Sequence, residues 1–135
     1  MNKFDIDCRV YYEDTDAGGI VYHANYLKYM ERCRTEWVRA LGIKQQYLLE
    51  QSLGFVVIDM SIAFKKSAKL DDIVNVSCEL LKTKRASLLF SQEITHNNQT
   101  LVVAEVKVAC VNTELSKPVP LPSELVDRLK EGNPQ

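Results

Sequence analysis

At 135 residues the chain has the length of one domain with a core of ordinary size, and its 46% hydrophobic content fits a globular protein. A formal net charge of −1 leaves no global basic field to attract nucleic acid or an anionic membrane. No run of about 18 apolar residues is available to span a bilayer, and the start MNKFDIDCRV lacks the apolar stretch of a secretory signal, so a cytoplasmic location is expected.

Residues 3–11 read as a first strand. A turn rich in carboxylates follows, with Glu13, Asp14 and Asp16 and then the pair Gly18 and Gly19. Residues 24–41 carry the clearest helical pattern, because Tyr26, Met30, Cys33, Trp37 and Leu41 recur at spacings of three and four. Lys28, Glu31, Arg32 and Glu36 fall mainly off that stripe, and Gly42 suits the helix C-cap. A second, short helix is expected over 44–51.

The period then changes to two. Val56, Ile58, Met60, Ile62 and Phe64 alternate with Asp59 and Ser61 among others. The same alternation places Val74, Val76, Cys78 and Leu80 on one face, then Leu88, Phe90, Gln92 and Ile94, then Val102, Ala104, Val106, Val108 and Cys110. Each set predicts an antiparallel strand with one face on the core. Asn97-Asn98 predicts a hairpin turn, and residues 69–72 and 84–87 predict the others. Pro118, Pro120 and Pro122 are expected to end the sheet, and residues 123–130 to form a last helix with Ser123 as N-cap and Glu124 in its first turn.

One strand, one long helix and four further strands make an α+β chain, with a curved antiparallel five-stranded sheet wrapped around one long central helix. No repeat or linker divides residues 1–135. Cys8, Cys33, Cys78 and Cys110 lie far apart inside apolar patterns and read as reduced, buried thiols. The strand from Val56 to Phe64 has little of the Lys or Pro that shields a sheet edge, so it invites pairing with a second copy about a two-fold axis near Asp59 or Met60.

A carboxylate in a tight turn before a helix N-terminus suits acyl transfer: it supplies a base or nucleophile, and glycine and helix-start N–H groups supply donors for an oxyanion. Other chemistries lack their residues. There is no G-x-S-x-G elbow, no glycine-rich phosphate loop and no metal-ligand spacing among two histidines and four cysteines, so neither cofactor nor metal is expected. The plain reading of Asp16 is a turn former, and of Gly18 and Gly19 a flexible turn. Glu13 and Asp14 read as solvated turn residues, with Asp14→Asn much less harmful than Asp16→Asn. Tyr12 reads as packing at a strand end, and His96 as exposed.

Arg9-Val10, four residues, Thr15-Asp16, Ala17-Gly18, and then Gly19, Ile20 and Val21 resemble the signature of the 4-hydroxybenzoyl-CoA thioesterase family. Tyr12, Asp16 and His23 in the context YHANYLKYME make the chain most similar to the YbgC-type acyl-CoA thioesterase branch, associated with the Tol-Pal envelope system. The resemblance covers nearly the whole chain and implies the hotdog fold and hydrolysis of an acyl-CoA to free acid and CoA. It makes Asp16 the nucleophile or general base, and the N–H of His23 the foremost oxyanion donor around Gly18, Gly19 and Ala24. It implies that the His23 side chain orients water, holds Asp16 or contacts substrate, and that Tyr12 lies near the site. Basic residues that hold the CoA phosphates would be Lys65 and Lys66 at one strand end, and Lys82, Lys84, Arg85 and Ser87 at another, although cations at strand ends are also ordinary surface residues. It further implies a dimer or tetramer with active sites at the subunit boundary. Aromatic acyl-CoAs (4-hydroxybenzoyl-CoA, 1,4-dihydroxy-2-naphthoyl-CoA) and acyl-carrier-protein thioesters are the alternative substrates. A thioester-binding scaffold tied to envelope or lipid-synthesis proteins is the alternative from another class.

Overall fold

The computed structural model describes residues 3–131. β1 (Lys3–Arg9) leads through a single 3-10 turn (Tyr12–Asp14) into α1 (Asn25–Ala40) and the short α2 (Gln45–Glu50). Then come β2 (Leu53–Phe64), β3 (Ile73–Thr83), β4 (Ser87–His96), β5 (Gln99–Asn112), the two-residue β6 (Lys117–Pro118) and α3 (Ser123–Glu131). The sheet is antiparallel in the order β1-β3-β4-β5-β2, with β6 beside β5. The expected five strands are present and a sixth, short one extends them. Pro118 is the last residue of that strand, paired with Val111 where a missing N–H costs little, so the sheet closes at the prolines as expected.

The core lies between α1 and the concave sheet face. Tyr26, Tyr29, Met30, Cys33 and Trp37 are buried on α1 against Val74, Val76 and Cys78 of β3, Phe90 and Ile94 of β4, and Val102, Val106 and Cys110 of β5. Trp37 is fully buried, its ring 6.2 Å from Phe4 and 6.1 Å from Phe90. Gln92 keeps its place in an apolar series because its amide is satisfied: Nε2 donates to the Met30 carbonyl at 3.0 Å, and Oε1 accepts from Arg34 Nη1 at 2.8 Å. Cys33, Cys78 and Cys110 are buried as expected, whereas Cys8 on the edge strand β1 is only half-buried; all four are free thiols.

Local chemistry sets the element ends. Gly42 terminates α1 at φ +87°, with its N–H on the Arg39 carbonyl and that of Ile43 on the Val38 carbonyl. Asn97 and Asn98 take φ +49° and +63°, the pair of left-handed residues that a tight β4–β5 hairpin requires. Ser123 is the first residue of α3 rather than its cap; the Val126 N–H donates to the Pro122 carbonyl.

β2 departs from the expected pattern. A bulge between Val57 and Asp59 leaves Ile58 without a partner on β5. The extra residue reverses the inward parity. Leu53 and Phe55 pack on the core before the bulge, Met60 and Ile62 after it, while Val56 and Ile58 are exposed. No helix among the described residues is long and apolar enough to cross a membrane.

Candidate active site

The chain leaves β1 at Val10, which is fully buried and locked to the start of β3 by two backbone bonds: its N–H to the Asp72 carbonyl at 2.8 Å, and the Asp71 N–H to its own carbonyl at 3.0 Å. The 3-10 turn then carries Asp14 inward. Its carboxylate accepts the Tyr11 N–H at 2.9 Å on Oδ2 and Asn25 Nδ2 at 2.9 Å on Oδ1. Asp14 is therefore not the solvated turn residue expected from the sequence; it is 4% exposed. Burial by itself would raise its carboxyl pKa. Hydrogen bonds from the Tyr11 N–H and Asn25, with the Tyr29 hydroxyl and the Arg32 charge nearby, outweigh that and hold it below the usual range. Burial beside Asp14 pushes the Tyr29 hydroxyl up, so it stays protonated. Glu13 is exposed as expected.

Asp16 behaves differently. It is exposed, in a loop closed by its own N–H on the Ile20 carbonyl at 2.9 Å and by the Gly19 N–H on its carbonyl at 3.1 Å. The Gly18 N–H donates to Oδ1 at 2.8 Å and so orients the carboxylate. Gly19 supplies the φ of +79° that the turn needs.

Asp16 opens on a cavity of about 240 Å³ that it lines with His23, Tyr26, Phe64, Lys65 and Lys66. The His23 ring lies 4.7 Å from Tyr22 and edge-on to Phe64 at 5.9 Å, and makes no hydrogen bond to Asp16. Just before α1 the backbone N–H groups of His23 and Ala24 find no acceptor among the described residues, while those of Tyr22, Asn25, Tyr26 and Leu27 all do. The positive end of the α1 dipole thus coincides with two free donors. Tyr26 is tied in place by the Ala68 N–H, which donates to its hydroxyl at 2.9 Å.

Not every sequence candidate gathers here. Tyr12 is 82% exposed and does not line the cavity. Lys84, Arg85 and Ser87 lie at the opposite end of β3, on the order of 30 Å from the Asp16 loop within one chain. His96 is not simply exposed, since its Nδ1 lies 3.0 Å from the Ile73 carbonyl and its Nε2 3.6 Å from Asp72. Two features escaped the sequence reading. The Asp14–Asn25 contact spans eleven residues with no periodic signature, although an Asn at a helix start was a usable hint. The other is a mainly apolar cavity of about 280 Å³ under the first half of β2, lined by Trp37, Val38, Phe55, Val57 and Phe90, with Arg34 at its side.

Residues 10–129 match the model of the thioesterase-like superfamily. The chain belongs to that superfamily. It is 50% identical over 125 residues to the acyl-CoA thioesterase YbgC of Haemophilus influenzae, covering 92% of each chain. It is 43% identical over 124 residues to the acyl-CoA thioester hydrolase YbgC of Escherichia coli O6:H1, covering 91% of this chain and 92% of that one. The crystal structure of a probable thioesterase from Bartonella henselae matches with a TM-score of 0.84 at 37% identity, over 89% of this chain and 99% of that one. The curved sheet around α1 is accordingly the hotdog fold of the superfamily.

Proposed function

We propose that the protein is an acyl-CoA thioesterase that hydrolyses an acyl-CoA to free acid and CoA. One observation carries the mechanism: an exposed carboxylate, oriented by Gly18, opens on the same cavity as His23, whose N–H has no acceptor among the described residues. The thioester carbonyl would accept the His23 and Ala24 N–H groups, which stabilise the oxyanion as it forms. Asp16 would either attack the carbonyl carbon, giving an anhydride that water then opens, or take a proton from the water that attacks it. Either route breaks the C–S bond and leaves CoA as a thiol. His23 contributes its backbone donor and, with Phe64, an aromatic wall. Lys65 and Lys66 provide cations at the same mouth. Four free thiols suit a reducing, cytoplasmic setting.

The reading extends to a second copy of the chain. β2 is a sheet edge whose exposed apolar residues include Val56, Val57, Ile58 and Phe64 and whose one charge is Asp59. Pairing two β2 strands about an axis near Asp59 sets the Leu53 end of one beside the Phe64 end of the other. The apolar cavity of each copy, at its Leu53–Val57 end, would then adjoin the partner's Asp16 cavity and receive the acyl group. The turn at 84–87 sits on the same side as Val56, through the pairings of Ser87 with Ala109 and Ala109 with Val56, so it too would move toward the partner's Asp16.

Release of free thiol from a panel of acyl-CoAs tests the activity. Wild-type protein is expected to hydrolyse at least one chain length or aromatic acyl group. Asp16→Asn should fold normally and lose about 10²–10⁴-fold in kcat, as loss of a general base does. No hydrolysis by wild type, or an Asp16→Asn variant within a few-fold of it, would refute the mechanism.

A further inference from the structure

The two free N–H groups, on His23 and Ala24, lie between two anchored residues, one held by the backbone of Asp14 and the other by its side chain. On one flank the Tyr22 N–H donates to the Asp14 carbonyl at 2.8 Å. On the other flank Asn25 Nδ2 donates to Asp14 Oδ1 at 2.9 Å. The Asn25 N–H closes the turn on the Tyr22 carbonyl at 2.8 Å. The Tyr11 N–H, on Oδ2 at 2.9 Å, ties the whole arrangement to the end of β1. Asp14 itself does not line the Asp16 cavity.

We infer that Asp14 is a positioning residue for the oxyanion-binding turn, its carboxylate holding Asn25 while the backbone holds Tyr22, so that the N–H groups of His23 and Ala24 stay free for the substrate oxygen. A role confined to capping the 3-10 turn accounts for the Tyr11 contact, and the backbone bridge of Thr15 with Val21 accounts for the Tyr22 bond, but neither explains the grip of the carboxylate on Asn25. Two donors converge on the two oxygens of the carboxylate; a side-chain amide at position 14 keeps one acceptor oxygen, so it meets both partners only if the Asn25 amide turns over and withdraws its own donor. The inference rests on the hydrolytic reading for its consequence, and on the ligand-free geometry for its cause.

A reciprocal exchange tests it. Asp14→Asn alone places an amide against an amide. Asn25→Asp alone places two carboxylates in contact. Asp14→Asn with Asn25→Asp restores one donor and one acceptor with their direction reversed, and leaves an oxygen for the Tyr11 N–H. Each single variant is expected to lose about tenfold or more in kcat with KM little changed, because the lost interaction acts on the transition state. The double variant should return to within about threefold of wild type. In the ligand-free protein the ¹⁵N–¹H resonances of His23 and Ala24 should shift in each single variant and return in the double, while those of Val106 stay put. A double variant that does not fold, or that folds without restoring the two amides, overturns the inference, as do single variants with unshifted amides. If wild type hydrolyses no acyl-CoA, the functional reading fails alone and the amide shifts still decide the positioning role.

Discussion

Asp14 and Asp16 are two residues apart and do opposite work. The strand end and 3-10 turn bury the first among donors, while the glycine loop leaves the second exposed with one N–H to orient it. The DTD spacing singled out Asp16 through its resemblance, yet nothing in the spacing distinguishes a buried carboxylate from a solvated one, because the side-chain partner of Asp14, Asn25, comes from a helix later in the chain. The buried one has a pH signature. Its pKa is held below the ordinary carboxylate value, so it contributes stability above the unfolded-state pKa of about 3.9, and that contribution drains away as pH falls through the folded value. The melting temperature of Asp14→Asn should therefore trail wild type at pH 7, with the gap closing below about pH 4. A gap that stays constant from pH 7 to pH 3 would mean that Asp14 is not preferentially charged in the folded protein. Asp16→Asn, with no buried partner to lose, should melt close to wild type throughout.

Helices and strands were the most legible level, because their periodicities are local. The apolar stripe of α1, the alternation of β3, β4 and β5 and the Asn97-Asn98 hairpin all stand close to where the sequence placed them. What failed was phase. The even residues of β2 read as one inward face, but the bulge at Ile58 turns Val56 outward and Phe55 inward, and a one-residue irregularity set by pairing with β5 leaves no mark in hydropathy. The glycine at the end of α1 was legible for a sound reason. Gly42 takes φ +87°, and a Cβ there would lie 2.9 Å from Arg128 Nη1, whose guanidinium donates to the Leu41 carbonyl and so joins α3 to the end of α1. Gly42→Ala should thus cost about 1–2 kcal/mol from the left-handed backbone alone, and more if Arg128 is displaced. Thermal or urea denaturation measures this directly. A loss of only a few tenths would show that the helix end relaxes to another cap.

For the whole molecule, the two edges of the sheet are unlike. β1 alternates Lys3, Asp5, Asp7 and Arg9 along its length, a charged edge that discourages pairing. β2 is longer and almost uncharged, with β5 as its single strand neighbour among the described residues. A functional site confined to one chain would leave Lys84 and Arg85 stranded far from Asp16, whereas a two-fold partner across β2 brings that end of the sheet over. The Lys84→Ala/Arg85→Ala variant should then raise KM for acyl-CoA more than it lowers kcat, and leave a pantetheine thioester without the nucleotide nearly unaffected. Met60 allows a sharper test. Its N–H donates to Asp59 Oδ1 at 3.0 Å rather than across to β5, so proline at that position removes a donor from the open edge and leaves the ladder to β5 its bonds. Met60→Pro should therefore weaken assembly, with a further cost to folding from the lost packing of the Met60 side chain on the core. Light scattering at micromolar concentration should find wild type as a dimer or larger and Met60→Pro shifted toward monomer, with thiol release falling in proportion to the dimer lost. A wild-type protein that is monomeric and fully active would exclude the shared site, and so would a monomeric Met60→Pro that keeps its kcat.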